Sequence, residues 1–440
     1  MPKEPDKKLL AQDVRPREVV AWAMYDFANS GYTTVVITAV YNAYFVGVVA
    51  GKAPWATFAW TVALAVSYVL IILTAPAIGA YADLRAAKKR LLLAATAVNV
   101  LFTAALAFTG PGTLALAIFL VIVSNFAFGT GENLIAAFLP ELAKGDALGK
   151  ISGWGWSLGY IGGLLALGLS LGYVSWAESR GIPAAQAVPG TMLITAGLFV
   201  VAALPTFLIL KERAVPVALP QGESPFRGAF ERLADTVHHA RRYRDLARFL
   251  VCIVFYQAGI QTVITIAAIY AQEAFGFTTA ETILLILVVN VTASVGAFAF
   301  GQVQDRLGHI RTIALTLALW LATALLAWAA TSRPMFWLIA NMAGLALGSS
   351  QSAGRALVGY LSPDDRRAEF FGLWGLAVKL ASILGPVTYG AVTWMTGGDH
   401  RTSMLVTSGF FVVGLAILAG IDVARGRAAA LGGGEAPRGA

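Results

Sequence analysis

Long apolar segments separated by short charged loops are the feature of this 440-residue sequence that most restricts its fold. Charged residues make up only 13% of the chain, whereas a soluble domain carries about 25%. A membrane-spanning helix needs about 20 mainly apolar residues. Twelve runs reach this length, at residues 19–49, 55–81, 91–109, 113–139, 151–176, 190–210, 246–271, 280–300, 311–331, 335–360, 369–395 and 402–422. The sequence therefore predicts an all-α membrane protein with twelve transmembrane helices.

Lysine and arginine are distributed unevenly between the two sides of this predicted topology. Of 32 such residues, 26 fall in the termini and in the loops of one side. Four lie on the other side, namely Lys52, Arg180, Arg333 and Arg401. Because basic residues accumulate on the cytoplasmic side of membrane proteins, the bias predicts that both termini are cytoplasmic.

Several classes of function lack support in this sequence. The net charge of +8 is spread over the loops instead of one basic face, so nucleic-acid binding is not expected. The lone cysteine, Cys252, allows no intrachain disulfide and no cysteine metal cluster. Neither a nucleotide-binding glycine loop nor a hydrolase or zinc-protease motif is found. We expect no enzyme activity, no cofactor and no metal site.

A polar stretch in the middle divides the chain into two parts of six predicted spans. The predicted segments are a cytoplasmic N-terminus (1–18), an N-terminal six-helix bundle (19–210), a cytoplasmic linker (211–245), a C-terminal six-helix bundle (246–422) and a disordered cytoplasmic tail (423–440). In the linker, apolar residues recur at helical spacing at Phe226, Phe230, Leu233 and Val237. They indicate an amphipathic helix on the membrane surface. A solvated connector is the alternative.

Two loops at corresponding places in the two parts have similar sequences and lie half the chain length apart. Their candidate gating residues are Gly79, Asp83 and Arg85 in the first loop, and Gly301, Asp305, Arg306, Gly308 and Arg311 in the second. Glycine allows two helices to approach closely. Aspartate can cap a helix N-terminus and pair with arginine. Contacts of this kind could hold one half against the other and break during a transport cycle.

This loop pattern resembles the signature of the major facilitator superfamily. The second copy is close to the full pattern, whereas the first has Leu84 where arginine is usual and lacks the loop glycine. The segment from Trp22 to Tyr32 resembles the opening signature of the vacuole-effluxer-like branch, whose best-known eukaryotic members export amino acids from the vacuole. The resemblance implies the major facilitator fold, with spans one, four, seven and ten lining a central cavity.

Four ionisable residues fall within predicted spans, at Asp26, Glu132, Arg355 and Lys379. Such residues are costly in a membrane and usually functional. Glu132 lies eight residues before Pro140, and Arg355 lies eight residues before Pro363. The equal offsets indicate that Glu132 and Arg355 are counterparts in the two halves. The resemblance places Asp26, Glu132 and Arg355 at the cavity.

Four roles remain open for these charges. They could pair across the halves as a gate, bind an anionic solute through Arg355 or Lys379, carry a proton on Asp26 or Glu132, or simply hold helices together. Uncharged candidates for the same cavity are Asn29, Tyr32, Thr33, Asn133, Tyr256, Gln257 and Gln261. In the span at 151–176, glycines at Gly155, Gly159 and Gly163, and again at Gly168 and Gly172, have small-xxx-small spacing, which predicts close helix packing.

The sequence and the resemblance together predict a secondary active transporter in a bacterial inner membrane. It would move a small solute by alternating access, with an amino acid or related organic ion as the candidate substrate and protons as the candidate coupling ion. A sensor that binds a solute without transporting it is the alternative. The expected partners are the solute, protons and the lipid bilayer, and the expected state is a monomer.

Overall fold

The computed structural model describes residues 10–11, 13–142, 148–213, 243–362 and 367–432. The helix predicted in the linker, with Phe226 and Phe230, lies outside these residues. Almost all of the described chain is helical. The α-helices are α1 (Pro16–Tyr32), α2 (Tyr41–Tyr44), α3 (Ala56–Arg85), α4 (Lys88–Ala105), α5 (Leu114–Ala136), α6 (Leu139–Leu142), α7 (Leu148–Ser179), α8 (Ala184–Ile209), α9 (Arg244–Phe275), α10 (Thr279–Leu307), α11 (His309–Ala329), α12 (Arg333–Leu361), α13 (Arg367–Met395), α14 (His400–Leu418) and α15 (Val423–Gly432).

Eleven helical segments of the described chain are long and apolar enough to cross a membrane. The first runs over Pro16–Val49, where wide π-helical turns at Thr33–Ala39 and Phe45–Val49 flank α2. The predicted span at 335–360 is also a long helix, α12, but its composition is more polar. Asn341, the serines at 349 and 350, and Arg355 account for that polarity. The prediction of an all-α membrane protein is confirmed, and the count of twelve spans stays a prediction.

The chain forms two compact units. The first unit comprises Met1–Gly51 and Val66–Ala229, and the second comprises Lys52–Ala65 and Phe230–Ala440. The first turns of α3 therefore pack within the second unit, where the ring of Phe58 stacks on Trp394 with centroids 5.2 Å apart. The limits predicted for the two six-helix bundles remain predictions.

In the first unit, an ion pair joins the start of α1 to the segment that follows α8. Arg213, which follows α8, donates to both carboxylate oxygens of Glu18 on α1, at 2.9 and 3.0 Å. The backbone N–H of Arg213 donates to Glu141 on α6, whose other oxygen accepts from Lys88 at 3.1 Å. Glu18 is buried, and a two-pronged guanidinium–carboxylate contact is both strong and directional. The chain after α8 is thus fixed to α1.

The second unit has a corresponding ion pair. Asp245 at the start of α9 is buried and accepts from two nitrogens of Arg425, each at 2.7 Å. Arg425 belongs to α15, although residues 423–440 were predicted to be a disordered tail. That prediction is wrong for Val423–Gly432, because Arg425 binds Asp245 and Arg427 donates to the carbonyl of Tyr360 at 3.0 Å. Residues 433–440 lie outside the described part of the chain.

The two motif loops have equivalent turns with different residues. Gly308 joins α10 to α11 with a φ of 79° and a ψ of 168°. Ala86 has the corresponding position in the first loop, where it joins α3 to α4 with a φ of 46°. Only glycine adopts positive φ without steric cost. The first loop therefore has alanine, and not glycine, at a turn whose backbone still has a positive φ.

Replacing Ala86 by glycine should stabilise the protein. The left-handed backbone costs alanine about 1–2 kcal/mol, and the greater flexibility of glycine in the unfolded chain offsets about half of this. We expect Ala86→Gly to raise the midpoint of thermal unfolding in detergent. The matched variant Gly308→Ala should lower it, because its φ and ψ are almost restricted to glycine and cost other residues about 1–3 kcal/mol. A lower midpoint for Ala86→Gly would contradict the steric cost assigned to this turn.

Candidate functional site

A tyrosine and a glycine determine the position of Glu132 in the first unit. Tyr25 on α1 is fully buried, and a side chain on Gly131 of α5 would begin 2.5 Å from its hydroxyl oxygen. The hydroxyls of Tyr25 and Thr96 share a hydrogen bond of 2.8 Å. Because Gly131 has no side chain, α5 approaches α1 closely at this level. Glu132 is the next residue of α5, and it is half-buried.

The second unit repeats this contact. A side chain on Gly354 of α12 would begin 2.4 Å from the hydroxyl oxygen of Tyr256 on α9. Arg355 is the next residue, and it is half-buried like Glu132. Tyr25 and Asp26 thus correspond to Tyr256 and Gln257, and Gly131 and Glu132 correspond to Gly354 and Arg355. The equivalence of Glu132 and Arg355, which equal offsets from proline indicated, has a structural counterpart in these contacts.

Asp26 belongs to α1, and its side chain lies against α7. Its Oδ2 atom would be 2.5 Å from a side chain at Gly155, and Trp22 would be 2.8 Å away. Further along α7, a side chain at Gly159 would meet Ser30 at 2.9 Å. Asp26 is close enough to Glu132 for the two carboxylates to interact electrostatically. The structure therefore places two acidic side chains of the first unit within electrostatic range of each other.

The glycines of α7 fall into two groups. A side chain at Gly155 or Gly159 would lie within 3.0 Å of α1 atoms, and one at Gly163 would lie 3.0 Å from Thr34 in the π-helical turn after α1, so the prediction of close packing is confirmed for these three. It is wrong for Gly168 and Gly172, where a Cβ atom would have no described neighbour within 4 Å. Sequence spacing identifies the glycines but does not identify which helix face meets a neighbour.

Amides and a cation occupy the corresponding place in the second unit. The side chain of Gln257 donates from Nε2 to Oε1 of Gln351 at 3.0 Å. The guanidinium of Arg355 lies 5.2 Å from the ring centre of Trp374 on α13, within the range of a cation–π contact. Gln261 lies one turn beyond Gln257, and Lys379 lies on α13; both are half-buried. The N–H groups of these side chains can donate hydrogen bonds to an anionic group, and the two cations can attract it electrostatically.

Two predicted site residues, Asn29 and Asn133, have surroundings of their own. Asn29 is buried on α1, and its Oδ1 has no hydrogen-bond partner among the described residues. Asn133 points away from Glu132, because adjacent helical residues differ by about 100° in direction. It lines a small cleft between α3 and α5 with Gly79 and Lys88.

The gating motif is described only in part. Arg85, Arg306, Gly308 and Arg311 are exposed at helix ends. The described part of the chain does not include the side chains of Asp83 and Asp305. For Gly301 it shows only that the backbone belongs to α10. The aspartate contacts predicted for the motif therefore stay predictions.

Comparison with known proteins identifies the family of this chain. Residues 42–431 match the family described as "Vacuole effluxer Atg22 like". The chain belongs to this family. The "Uncharacterized MFS-type transporter YxiO" of Bacillus subtilis is 26% identical over 411 residues, covering 91% of this chain and 93% of the relative. Autophagy-related protein 22 of Saccharomyces cerevisiae is 24% identical over 357 residues, covering 70% of this chain and 66% of the relative.

Solved structures confirm the fold of this Atg22-like chain. The nucleoside transporter NupG has a TM-score of 0.65 at 16% identity, covering 92% of this chain and 98% of NupG. The D-xylose-proton symporter has a TM-score of 0.67 at 15% identity, covering 92% and 97%. The Atg22-like chain is an integral membrane transporter of the major facilitator type, and its relatives are not enzymes.

Sequence reasoning missed several residues that organise this Atg22-like site. Tyr25 was noted only within the family signature and Tyr256 only as a polar candidate for the cavity, and their contacts with Gly131 and Gly354 were missed, because a tyrosine in an apolar span resembles any core aromatic residue. Trp374 was identifiable only as an interface aromatic, although its ring lies under Arg355. Tyr25 and Tyr256 precede Gly131 and Gly354 by 106 and 98 residues. A search for a tyrosine in the first span of each half, together with a glycine before a charged residue in the fourth, would have included both pairs.

Gly155→Ala should disturb the position of Asp26. The new methyl group would overlap Oδ2 of Asp26 and the ring of Trp22, and overpacking of this kind costs about 1–3 kcal/mol. We expect a lower unfolding midpoint and reduced transport in proteoliposomes. Gly168→Ala is the matched control on the same helix, because the added methyl meets no described atom within 4 Å. Equal effects of the two variants would contradict the placement of Asp26 against Gly155.

Proposed function

We propose that this chain is a secondary active transporter that moves a small organic ion bearing a carboxylate, such as an amino acid, by alternating access and coupled to protons. The observation that carries the proposal is the equivalent placement of Glu132 and Arg355. Each follows a glycine that contacts a buried tyrosine, yet one residue is an acid and the other a base. Equivalent positions of opposite charge give the two halves different chemical tasks.

The acidic half would carry the proton. Asp26 and Glu132 are close enough to interact, and two neighbouring carboxylates repel each other when both are ionised. A bound proton removes this repulsion, so the pair can take up and release a proton as its surroundings change. Asp26 also packs against helix α7 through Gly155, so a change in its charge acts directly on a helix contact.

The basic half would bind the carboxylate of the solute. Arginine binds carboxylates through two parallel hydrogen bonds, and Arg355 is held over the face of Trp374. The amide of Gln257, one helix away, is joined to Gln351 and adds further donor and acceptor groups. We propose Lys379 and Gln261 as secondary contacts in this half, since each places a polar group within a predicted span.

The proposed setting is the inner membrane of a bacterium, with both termini in the cytoplasm and the protein acting as a monomer. The 26-to-4 distribution of Lys and Arg supports this orientation. Under it, the Glu18–Arg213 and Asp245–Arg425 ion pairs lie at the cytoplasmic ends of their units. The motif loops lie on the same side.

Two kinds of flux separate the proposed tasks of Glu132 and Arg355. The probe is a mixture of radiolabelled L-amino acids added to proteoliposomes. A pH difference of one unit stores about 1.4 kcal/mol per proton, which supports roughly tenfold accumulation of a singly coupled solute. Glu132→Gln should abolish this accumulation and retain exchange of labelled for unlabelled solute, because exchange needs no net proton movement. Arg355→Gln should abolish both.

Glu281→Gln is the matched control for loss of one carboxylate. Glu281 begins α10, where it pairs with Arg333 at 3.1 Å and is partly exposed, so its neutralisation should leave both fluxes near wild type. Wild-type activity of Glu132→Gln and Arg355→Gln in both assays would remove these residues from the mechanism. Binding of a solute with neither accumulation nor exchange would contradict transport itself.

A further inference from the structure

Helix α15 contacts the two helices of the second unit that carry proposed solute-binding residues. Gln257 belongs to α9, and Arg355 belongs to α12. The hydrogen bonds of α15 reach the start of α9 and the last turn of α12. The helix itself follows the last predicted span and contributes no residue to the proposed site. Its effect on that site would therefore act through the two helices that it joins.

The contact with α9 is a buried ion pair. Arg425 donates from Nε and from Nη2 to the two carboxylate oxygens of Asp245, each at 2.7 Å. The backbone N–H of Asp422, just before α15, donates to the same carboxylate at 3.0 Å. A buried carboxylate is costly unless it is paired, and Asp245 is buried. The start of α9 is therefore firmly joined to α15.

The contact with α12 comes from the next two residues of α15. Arg427 donates to the carbonyl of Tyr360 at 3.0 Å, and its guanidinium lies 4.9 Å from the centre of the Tyr360 ring. A side chain on Gly426 would begin 2.8 Å from Leu361 and 3.1 Å from Asp245. Because glycine has no side chain, α15 lies directly against both helices. Three consecutive residues thus bridge α9 and α12.

The first unit joins its equivalent helices by a direct hydrogen bond. Trp22 on α1 donates from Nε1 to the carbonyl of Ile135 on α5 at 2.9 Å. Trp22 lies three residues before Tyr25, and Ile135 lies four residues after Gly131. The bond therefore fixes α1 to α5 about one helical turn from the contact between tyrosine and glycine.

The second unit has no donor at the position of Trp22. Three residues before Tyr256 stands Ile253, which is fully buried and has no hydrogen-bonding group in its side chain. Four residues after Gly354 stands Val358, whose carbonyl accepts from the backbone N–H and the hydroxyl of Ser362, at 3.0 and 2.6 Å. The direct bond of the first unit is thus replaced here, and α15 joins the same pair of helices instead.

The bridge lies close to Arg355 along α12. Tyr360 follows Arg355 by five residues, which is about 7.5 Å of helix rise. A regular helix is stiff over so short a length, so a displacement of the last turn also displaces Arg355. Gln257 lies on the other bridged helix, twelve residues after Asp245.

We infer that α15 is a positioning element that holds α9 against α12, and so holds Gln257 at a fixed separation from Arg355. It does for the second unit what the Trp22 hydrogen bond does for the first. Arg425 and Arg427 are its positioning residues. The role in solute binding rests on the proposed function, whereas the role in holding the two helices together does not.

The separation of α9 and α12 is measurable by electron paramagnetic resonance in the full chain. Spin labels are attached through Val251→Cys and Ala356→Cys, at exposed positions of the two helices. Cys252→Ser removes the native thiol and keeps a donor for the carbonyl of Gly414. We expect Arg427→Gln to broaden the distribution of distances between the labels, because the end of α12 loses its contacts with that arginine.

Exchange of radiolabelled L-amino acids in proteoliposomes measures the consequence for solute. A binding group that is held loosely must be ordered at each binding event, which weakens affinity by up to roughly tenfold. Arg427→Gln should therefore raise the half-saturating concentration by this factor and leave the maximal rate near wild type. Arg427→Lys should recover part of the loss, because lysine keeps the charge and one donor.

Arg401→Gln is the matched control. Arg401 donates to the carbonyl of Trp328 at 3.1 Å, and its guanidinium lies 5.6 Å from the ring centre of Phe275, at the opposite end of α9. It makes the same two kinds of contact as Arg427. Its loss should leave the label distances and the half-saturating concentration unchanged. Equal changes in Arg401→Gln and Arg427→Gln would show general loosening of the unit and overturn the inference.

Unchanged distances and an unchanged half-saturating concentration in Arg427→Gln would also overturn it. If that variant does not fold, Gly426→Val keeps both arginines and adds a side chain against Leu361 and Asp245. It should lengthen the mean distance between the labels, and an unchanged distance would contradict the bridge. Absence of exchange in the wild type, with distances broadened in Arg427→Gln, would reject the proposed function and with it the link between α15 and solute.

Discussion

The contact between a tyrosine hydroxyl and a glycine of the neighbouring helix fixes the position of the charged residue in each half of this transporter. Because Gly131 and Gly354 carry no side chain, their helices come within reach of Tyr25 and Tyr256. The following residue must then project about 100° further around the helix. The same local geometry thus presents Glu132 in one half and Arg355 in the other. The repeat preserves the position and changes the chemistry.

The two halves also differ in how far their polar groups are satisfied. The hydroxyl of Tyr25 is hydrogen-bonded to Thr96, whereas that of Tyr256 has the Gln257 side chain as a polar neighbour and makes no well-formed hydrogen bond within the described part of the chain. The buried residues at 92, 96, 99 and 103 on α4 have the same spacing as those at 313, 317, 320 and 324 on α11. In this alignment Leu317 takes the place of Thr96. A buried polar group without a partner costs about 1–3 kcal/mol. Such a cost is tolerated most often at functional sites.

The membrane helices were predictable from the sequence, because a span needs a long apolar run and such runs can be recognised without a structure. The run at 113–139, for example, corresponds to α5 at Leu114–Ala136. The ion pairs were not predictable. Glu18 and Arg213 are 195 residues apart, and both resemble the loop charges that set topology. The helix at Val423–Gly432 was missed for the same reason, since its Arg425 is held by a residue far away in sequence.

Of the candidate site, the residue types and the equivalence of Glu132 and Arg355 were legible in the sequence. Their equal distances from a proline were enough to pair them. The neighbours of Asp26 and Arg355 were not legible, because they depend on which helix face meets which. Gly155 packs on Asp26 while Gly168 of the same helix meets no described atom, and sequence spacing alone does not distinguish the two.

Proton movement through the acidic half in each cycle of solute movement is the central claim. The most direct measurement is the lumenal pH of proteoliposomes containing the wild-type protein and a pH-sensitive dye, followed after a transported solute is added on the outside without a starting pH gradient. We expect a change of lumenal pH that grows with solute uptake and reverses when the solute gradient is reversed. Solute uptake with no change of lumenal pH would contradict the claim.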